Sequence, residues 1–378
     1  MHDLTIVFHD AGGGHRSAAG ALKTVLEQQY HPWNVKLLNL QELLEPIDFV
    51  HRATGLQIQD GYNLILKKGW TRLTPPLLTL FQRTVQLHHS RIVRILRNYW
   101  ALHPTDLVLS VIPHFNRCLA QSIREEMPNA AFVTLLTDLA DYPPNFWIVP
   151  ESEFIICGSQ RAREQALAMG HDRRWVYQTS GMILKPSFYR KPVIDRDAER
   201  VKLGLRADLP TGIVMFGGQG SASMIEIAKR LDHSSGQLQL IFLCGHNLEL
   251  ATKLRGLGLT KPAVIEGFTP QVDYFMSLAD FFIGKPGPGS ISEAVAMGLP
   301  VIVERNAWTL PQERYNADWV LEKNVGMVVN NFRDISTAVT TLLRELPLYQ
   351  AAAKAIDNRA VFEIPEMLEA ILEKSTSS

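Results

Sequence analysis

Short apolar runs alternate with stretches of helical period along the whole of this 378-residue chain. That alternation constrains the fold most strongly. An apolar run too short for a helix reads as a buried strand of a parallel sheet, and each parallel step needs a helical crossover. The first half offers strands at residues 4–9, 35–39, 107–111, 131–137, 154–157 and 175–178. The second half restarts the series at 212–216, 238–244, 263–266, 280–284 and 300–304. The class is α/β, and two Rossmann-like domains fit the restart better than one. Residues 191–200, Lys-Pro-Val-Ile-Asp-Arg-Asp-Ala-Glu-Arg, are the most charge-dense decapeptide in the middle of the chain and read as the linker. Domains are therefore expected at 1–190 and 201–355, with an amphipathic helix and frayed tail over 356–378.

Charge and hydropathy exclude several functions. With 38 Lys plus Arg against 38 Asp plus Glu, formal charge is zero, so nucleic acid is not bound by bulk positive charge. Hydrophobic residues make up 46%, enough for real cores, yet no run reaches the ~20 apolar residues of a membrane-spanning helix. Met1-His2-Asp3 leads at once into a strand pattern with neither the basic region nor the cleavage site of a signal peptide, so a cytoplasmic location is expected. Cys118, Cys157 and Cys244 are odd in number, widely spaced and set in apolar stretches, which predicts reduced, buried thiols.

Three glycine-rich loops each follow an expected strand and open a helix. In Phe8-His9-Asp10-Ala-Gly-Gly-Gly-His15-Arg16-Ser17, Gly13 and Gly14 permit a tight turn, and backbone N–H groups converge there as an anion or substrate site, or simply as a turn. Phe216-Gly-Gly218-Gln-Gly220-Ser221 repeats the arrangement in the second half. Gly284-Lys285-Pro-Gly-Pro-Gly289-Ser290-Ile-Ser-Glu293 does so again, with Gly289 and Ser290 able to offer N–H groups to a diphosphate. Glu293 lies one turn on, as a ribose ligand or a dipole-stabilising acid. No Walker A, HExxH or GxSxG string occurs. Asp195-Arg196-Asp197 spells an Asp-x-Asp, but in a charged linker rather than at a strand end, so no metal is expected.

Gly-Gly-Gly-His at 12–15 together with Lys-Pro-Gly-Pro-Gly-Ser-Ile-Ser-Glu-Ala at 285–294 resembles the monogalactosyldiacylglycerol synthase branch of glycosyltransferase family 28. The resemblance runs through nearly the whole chain. It implies a GT-B fold, two Rossmann-like domains facing a cleft, with a C-terminal helix that can cross back to the first domain. It also implies inverting, metal-independent hexosyl transfer, of galactose or glucose, from a UDP-sugar to diacylglycerol, with no cofactor beyond the donor. Carried over residue by residue, His15 is the general base or orients the acceptor hydroxyl, with Asp138 as its orienting partner or an alternative base. Gly218, Gly220, Gly289 and Ser290 match the diphosphate cradle, Glu293 the ribose carboxylate, and Phe268 the place where relatives pass the uracil. Gln312 and Glu313 match the pair beside the donor sugar, with Asn316 one turn along. Ile112-Pro113-His114 departs from the plant-type order, which has His before Pro. A polyprenyl-linked acceptor, a UDP-sugar 2-epimerase and a UDP-sugar-binding regulator stay open beside this reading.

Neutrality is uneven along the chain: the first 190 residues carry 19 basic against 16 acidic side chains, the remainder 19 against 22. Residues 61–105 contain no Asp or Glu. There Leu77, Leu78, Phe81, Val85, Ile92, Ile95, Leu96 and Tyr99 fall on one helical face, and Arg83, Arg91, Arg94 and Arg97 on the other. Such a helix either packs its apolar face on the first-domain sheet or lies on an anionic membrane with Trp70 and Trp100 in the interface. A lipid acceptor favours the second, hence a cytoplasmic, peripherally membrane-associated protein.

Overall fold

Val-, Ile- and Leu-rich segments with no polar alternation can be buried on both faces, and among the described residues they form two six-stranded, wholly parallel sheets. The computed structural model describes residues 2–10, 13–28, 33–45, 82–190, 193–307 and 309–375. Its described residues divide into two units, one holding those up to Pro186 and from Asn358 onward, the other Ser187 to Asp357.

The first unit's sheet is ordered β2-β1-β3-β4-β5-β6, from β1 (His2–Phe8), β2 (Trp33–Asn39), β3 (Leu107–Ser110), β4 (Ala131–Leu135), β5 (Phe154–Cys157) and β6 (Val176–Gln178). Leu4 stands opposite Leu107 and Val7 opposite Ser110, so β1 and β3 are neighbours although 100 residues separate them in sequence. The strand order reverses at this pair, and open α/β sheets bind ligands beyond the carboxyl ends of their strands at such a point. The second unit has β9-β8-β7-β10-β11-β12, from β7 (Thr211–Met215), β8 (Gln239–Leu243), β9 (Ala263–Glu266), β10 (Phe281–Gly284), β11 (Val301–Glu304) and β12 (Gly326–Val329). Its reversal lies between β7 and β10. Strand β12 is absent from the expected series; unlike the other four-residue strands it opens with a glycine, which weakens its apolar run.

The last helix, Ala360–Ser375, belongs to the first unit. Ile364, Leu368, Ile371 and Leu372 recur at helical spacing and pack into one core with Leu4, Ile6, Leu22 and Val133. Its entry is tied down by Asn358, whose side-chain amide donates to the Met182 carbonyl (2.9 Å), and by the Arg359 N–H, which donates to Ser180 Oγ (2.6 Å).

Two expectations need correction. Residues 195–200, expected in the linker, begin a helix (Arg196–Lys202) whose N-terminus Asp195 caps by accepting from the Ala198 N–H. Arg200 is buried and bonds the Leu278 carbonyl and Asp280, which Arg196 also reaches at 2.8 Å. The charge density thus reports a cap and ion pairs that fix this segment to the second unit. The second correction concerns Trp100. Helix His89–Leu102 buries Ile92, Val93, Leu96 and Trp100 against Val7, Leu38, Val108 and Leu119, and the Trp100 indole donates to Ser122 Oγ at 3.0 Å. That tryptophan is core and does not face a bilayer. Arg91, Arg94 and Arg97 are exposed on the opposite side, Arg83 is exposed in the helical stretch before it, and Arg97 bonds both Glu125 and Glu126. Trp70, Leu77, Leu78 and Phe81 lie outside the described residues. Among the described residues no helix is long and apolar enough to cross a membrane. Cys118, Cys157 and Cys244 are buried free thiols, which burial pushes up to about 12, 12 and 11.

Candidate functional site

In the first unit, the loops after β1, β3 and β4 converge on His15. The turn after β1 passes through Gly13 at φ 76° into helix Gly14–Gln28, so His15 sits in the first turn of that helix. Its Nδ1 lies 2.8 Å from the Val111 carbonyl, just past β3, and 3.0 Å from Thr137 Oγ1, just past β4. A carbonyl only accepts, so Nδ1 carries the hydrogen and Nε2 keeps its lone pair. This is the tautomer a base needs. The rings of His9 (4.3 Å) and Trp147 (5.7 Å) flank the imidazole.

Charge on this cluster is disfavoured. Burial pulls His15 down from 6.5 to about 4, only partly countered by the Val111 carbonyl. Burial and then the His15 charge pull His114 down to about 3, and His9 lies well below the ordinary value for the same reasons. The helix N-terminus disfavours a cation there as well. All three imidazoles are neutral at pH 7. A base that loses function on protonation should therefore hold its activity as pH falls through 6.5. The acid limb of a kcat/KM–pH profile is expected near 4, and a limb at 6.5 would show that another group is the base.

The segment after β4 is locked around this histidine. Asp138, buried, accepts the Trp147 indole N–H at 2.8 Å, while His15 Nδ1 meets Val111 and Thr137; the orienting groups are thus a carbonyl and a hydroxyl rather than a carboxylate. Asp141 accepts backbone N–H groups of Asn145 (3.0 Å) and Trp147 (2.6 Å), yet burial still pushes its carboxyl up to about 6. Asn116, fully enclosed, accepts from Ser110 Oγ and donates to the Trp147 carbonyl, which fastens the β3 loop to the β4 loop. His114, at φ 67°, donates its N–H to the Phe146 carbonyl at 2.8 Å. His114 also lies within electrostatic reach of His15, so its imidazole belongs to the same cluster. Gly13 and Gly14 are exposed, and among the described residues no atom crowds the space beside them.

In the second unit the glycine loops leave the carboxyl ends of β7 and β10, the strands at the order reversal. Gly218 and Gly289 are exposed with open space beside them, and Gly289 and Ser290 open helix Pro288–Ala296. Gly220 is buried against the loop after β8. In that loop Gly245 (φ 60°) passes so close to the first loop that a Cβ there would lie 2.2 Å from the Gly218 carbonyl, and the next N–H, of His246, donates to the same carbonyl at 2.8 Å. Phe268, 61% exposed, stacks on the exposed His246 ring at 4.1 Å and 17°. Glu293 is partly buried on its helix. Gln312 and Glu313 are buried, and Asn316, wholly enclosed, donates to the Pro286 carbonyl at 2.8 Å while its Oδ1 has no protein partner. Lys285 Nζ contacts Glu313 Oε1 at 2.5 Å.

Gly245 and His246 were missed in the sequence, whereas the segment from Thr137 to Trp147 was expected to border the cleft with a role given only to Asp138. Cys244-Gly245-His246-Asn247 carries the same strand–glycine–helix signature as the three loops singled out, and that signal was available. The particular contacts of Thr137 and Trp147 could not be read there, since Thr137 meets His15 from 122 residues away and Trp147 is placed by the fold of its own loop.

Two parallel sheets, each with its polar and glycine-rich loops at the order reversal, define the class of double-Rossmann enzymes with the GT-B fold. Over 98% of the chain the fold superposes on MurG of Acinetobacter baumannii (TM-score 0.62, 13% identity, 99% of that chain). It superposes equally on the UDP-GlcNAc 2-epimerase of Neisseria meningitidis bound to UDP-GlcNAc (TM-score 0.61, 15% identity, 98% of this chain and 100% of that one). More particularly, residues 213–361 match the glycosyltransferase family 28 C-terminal domain. The chain is 27% identical over 394 residues to monogalactosyldiacylglycerol synthase 1, chloroplastic, of Arabidopsis thaliana, covering 99% of this chain and 72% of the relative. Residues 213–361 thus resemble the C-terminal domain of glycosyltransferase family 28, in a chain similar over nearly its whole length to monogalactosyldiacylglycerol synthases.

Proposed function

We propose that this protein transfers a hexose, galactose or glucose, from a UDP-sugar to the hydroxyl of diacylglycerol with inversion, giving a β-glycolipid. The observation that carries the reading is the neutral His15, fixed through Nδ1–H with Nε2 free of the Val111 and Thr137 contacts, in a chain homologous to galactolipid synthases. In this reading the second unit holds the donor. Phe268 backed by His246 takes the uracil face, Glu293 the ribose hydroxyls, and the N–H groups around Gly218, Gly220, Gly289 and Ser290 the diphosphate. Gln312, Glu313 and Asn316 take hydroxyls of the hexose, and the Asn316 Oδ1 gives an enclosed acceptor for one of them. The acceptor oxygen attacks the anomeric carbon as Nε2 removes its proton, the bond from that carbon to the phosphate oxygen breaks, and UDP leaves. Backbone N–H groups and the helix dipole stabilise the departing charge, so the step needs no metal.

The acceptor is a membrane lipid, and the exposed arginine face supplies the contact with anionic headgroups at the cytoplasmic surface. Leu87, between Arg83 and Arg91, and Leu102, at the helix's last residue, are 83% and 78% exposed. At about 1 kcal/mol per cation near the surface, replacing Arg83, Arg91 and Arg94 with Ala should weaken cosedimentation with anionic vesicles roughly a hundredfold at low salt. Wild-type binding should itself fall as salt rises. Binding indifferent to both would remove the arginine face from docking.

Incubating radiolabelled UDP-galactose or UDP-glucose with diacylglycerol micelles tests the function. Label appearing in lipid from one donor is the expected result. Label entering only a polyprenyl phosphate, or conversion of UDP-GlcNAc to its 2-epimer without transfer, would overturn it.

A further inference from the structure

Lys285 is the one cation in the loop motif at 284–293, and the donor reading above leaves it without a task. Its ammonium sits 2.5 Å from Glu313 Oε1, with the Glu313 side chain 9% exposed and the Lys285 side chain 33%. Its stem runs between two glycine turns: a Cβ at Gly287 would lie 3.4 Å from Lys285 Cε, and a Cβ at Gly217 3.9 Å from it. The lysine therefore stands between the loops after β7 and β10, each of which also has open space at Gly218 or Gly289. A buried carboxylate beside an arriving diphosphate is unfavourable unless a cation is shared between them. A lysine on a flexible four-carbon stem can serve one anion and then the other.

We propose that Lys285 is a diphosphate-binding residue that exchanges partners. In the empty site it neutralises Glu313; when the donor arrives, its ammonium turns to the diphosphate and releases the Glu313 carboxylate to the hexose hydroxyls. Donor binding thereby assembles the sugar contact, and sugar without a nucleotide diphosphate meets a carboxylate already occupied. This rests on the UDP-sugar reading of the second unit.

Competition for one ammonium gives an experiment whose two variants differ in sign. UDP and uridine are titrated by calorimetry into the full-length wild type, Lys285→Met, Lys285→Arg and Glu313→Gln. Lys285→Met should weaken UDP by about tenfold or more, the loss of one charge-assisted contact, while uridine, which has no phosphate, binds unchanged. Lys285→Arg, which keeps the charge, should retain most UDP affinity. Glu313→Gln should bind UDP more tightly than wild type, because the lysine no longer leaves a partner, while turnover falls. A merely structural ion pair would make Lys285→Met and Glu313→Gln weaken UDP alike, and that result overturns the exchange. Unchanged UDP affinity in Lys285→Met with normal wild-type binding overturns it too and leaves the donor reading standing. Wild type that binds neither UDP nor uridine overturns both.

Discussion

A His15→Ala variant is expected to lose two to four orders of magnitude in kcat while UDP affinity stays at the wild-type value, because a positioned general base contributes about 10²–10⁴-fold. The sign follows from the local structure. The Val111 carbonyl forces the hydrogen onto Nδ1, and burial keeps the ring neutral, so the proton-accepting atom is present at working pH without prior deprotonation. Alanine removes that atom and leaves helix Gly14–Gln28 intact, since Ala is the best helix former and the helix is held by Ala19, Leu22 and Leu26 in the core. Steady-state kinetics beside a UDP titration separates the two quantities. Turnover close to wild type would remove His15 from the chemistry and return attention to Asp138, which accepts the Trp147 indole N–H.

Ending the chain after Asp357 is expected to unfold the first unit, although the segment removed is the last in sequence. Ile364, Leu368 and Ile371 are fully buried and Leu372 nearly so, each worth ~1.5–3 kcal/mol of burial. Together that is about 6–12 kcal/mol, set against a typical domain stability of about 5–15 kcal/mol. Leu4 and Ile6 of the sheet and Leu22 of helix Gly14–Gln28 would lose that cover. Circular dichroism and thermal melting check this, the expected result being loss of one cooperative transition while the second unit, whose core contains no residue of this helix, keeps its own. A truncated protein that melts as wild type would show that the helix only decorates the surface.

Local signals were legible in the sequence and long-range ones were not. The inner strands appear as apolar runs because burial on both faces leaves no room for polar alternation, while the edge strands β2 and β6 keep exposed positions; the glycine loops appear because a strand must turn sharply into its helix. The pairing of β1 with β3 cannot be read from either segment, yet it brings Val111 to His15 across 96 residues, and the next strand brings Thr137 across 122. The helix His89–Leu102 shows the same limit. Its period reveals an apolar face but not what covers it, and the tryptophan expected at a membrane is bonded to Ser122 in the core. Charge was the least informative cue. Arg196 and Arg200 lie in the most charged central decapeptide and read as solvated linker, whereas the fold directs both onto Asp280.

The measurement that bears most directly on the proposed transfer is the anomeric configuration of the hexose attached to lipid after a single turnover, read by proton NMR of the extracted product. Attack by the diacylglycerol hydroxyl on an α-linked UDP-hexose, with His15 Nε2 taking its proton, predicts one β-linked hexose on the lipid and one UDP released. An α-linked product, or UDP released with free hexose and no glycolipid, would contradict it.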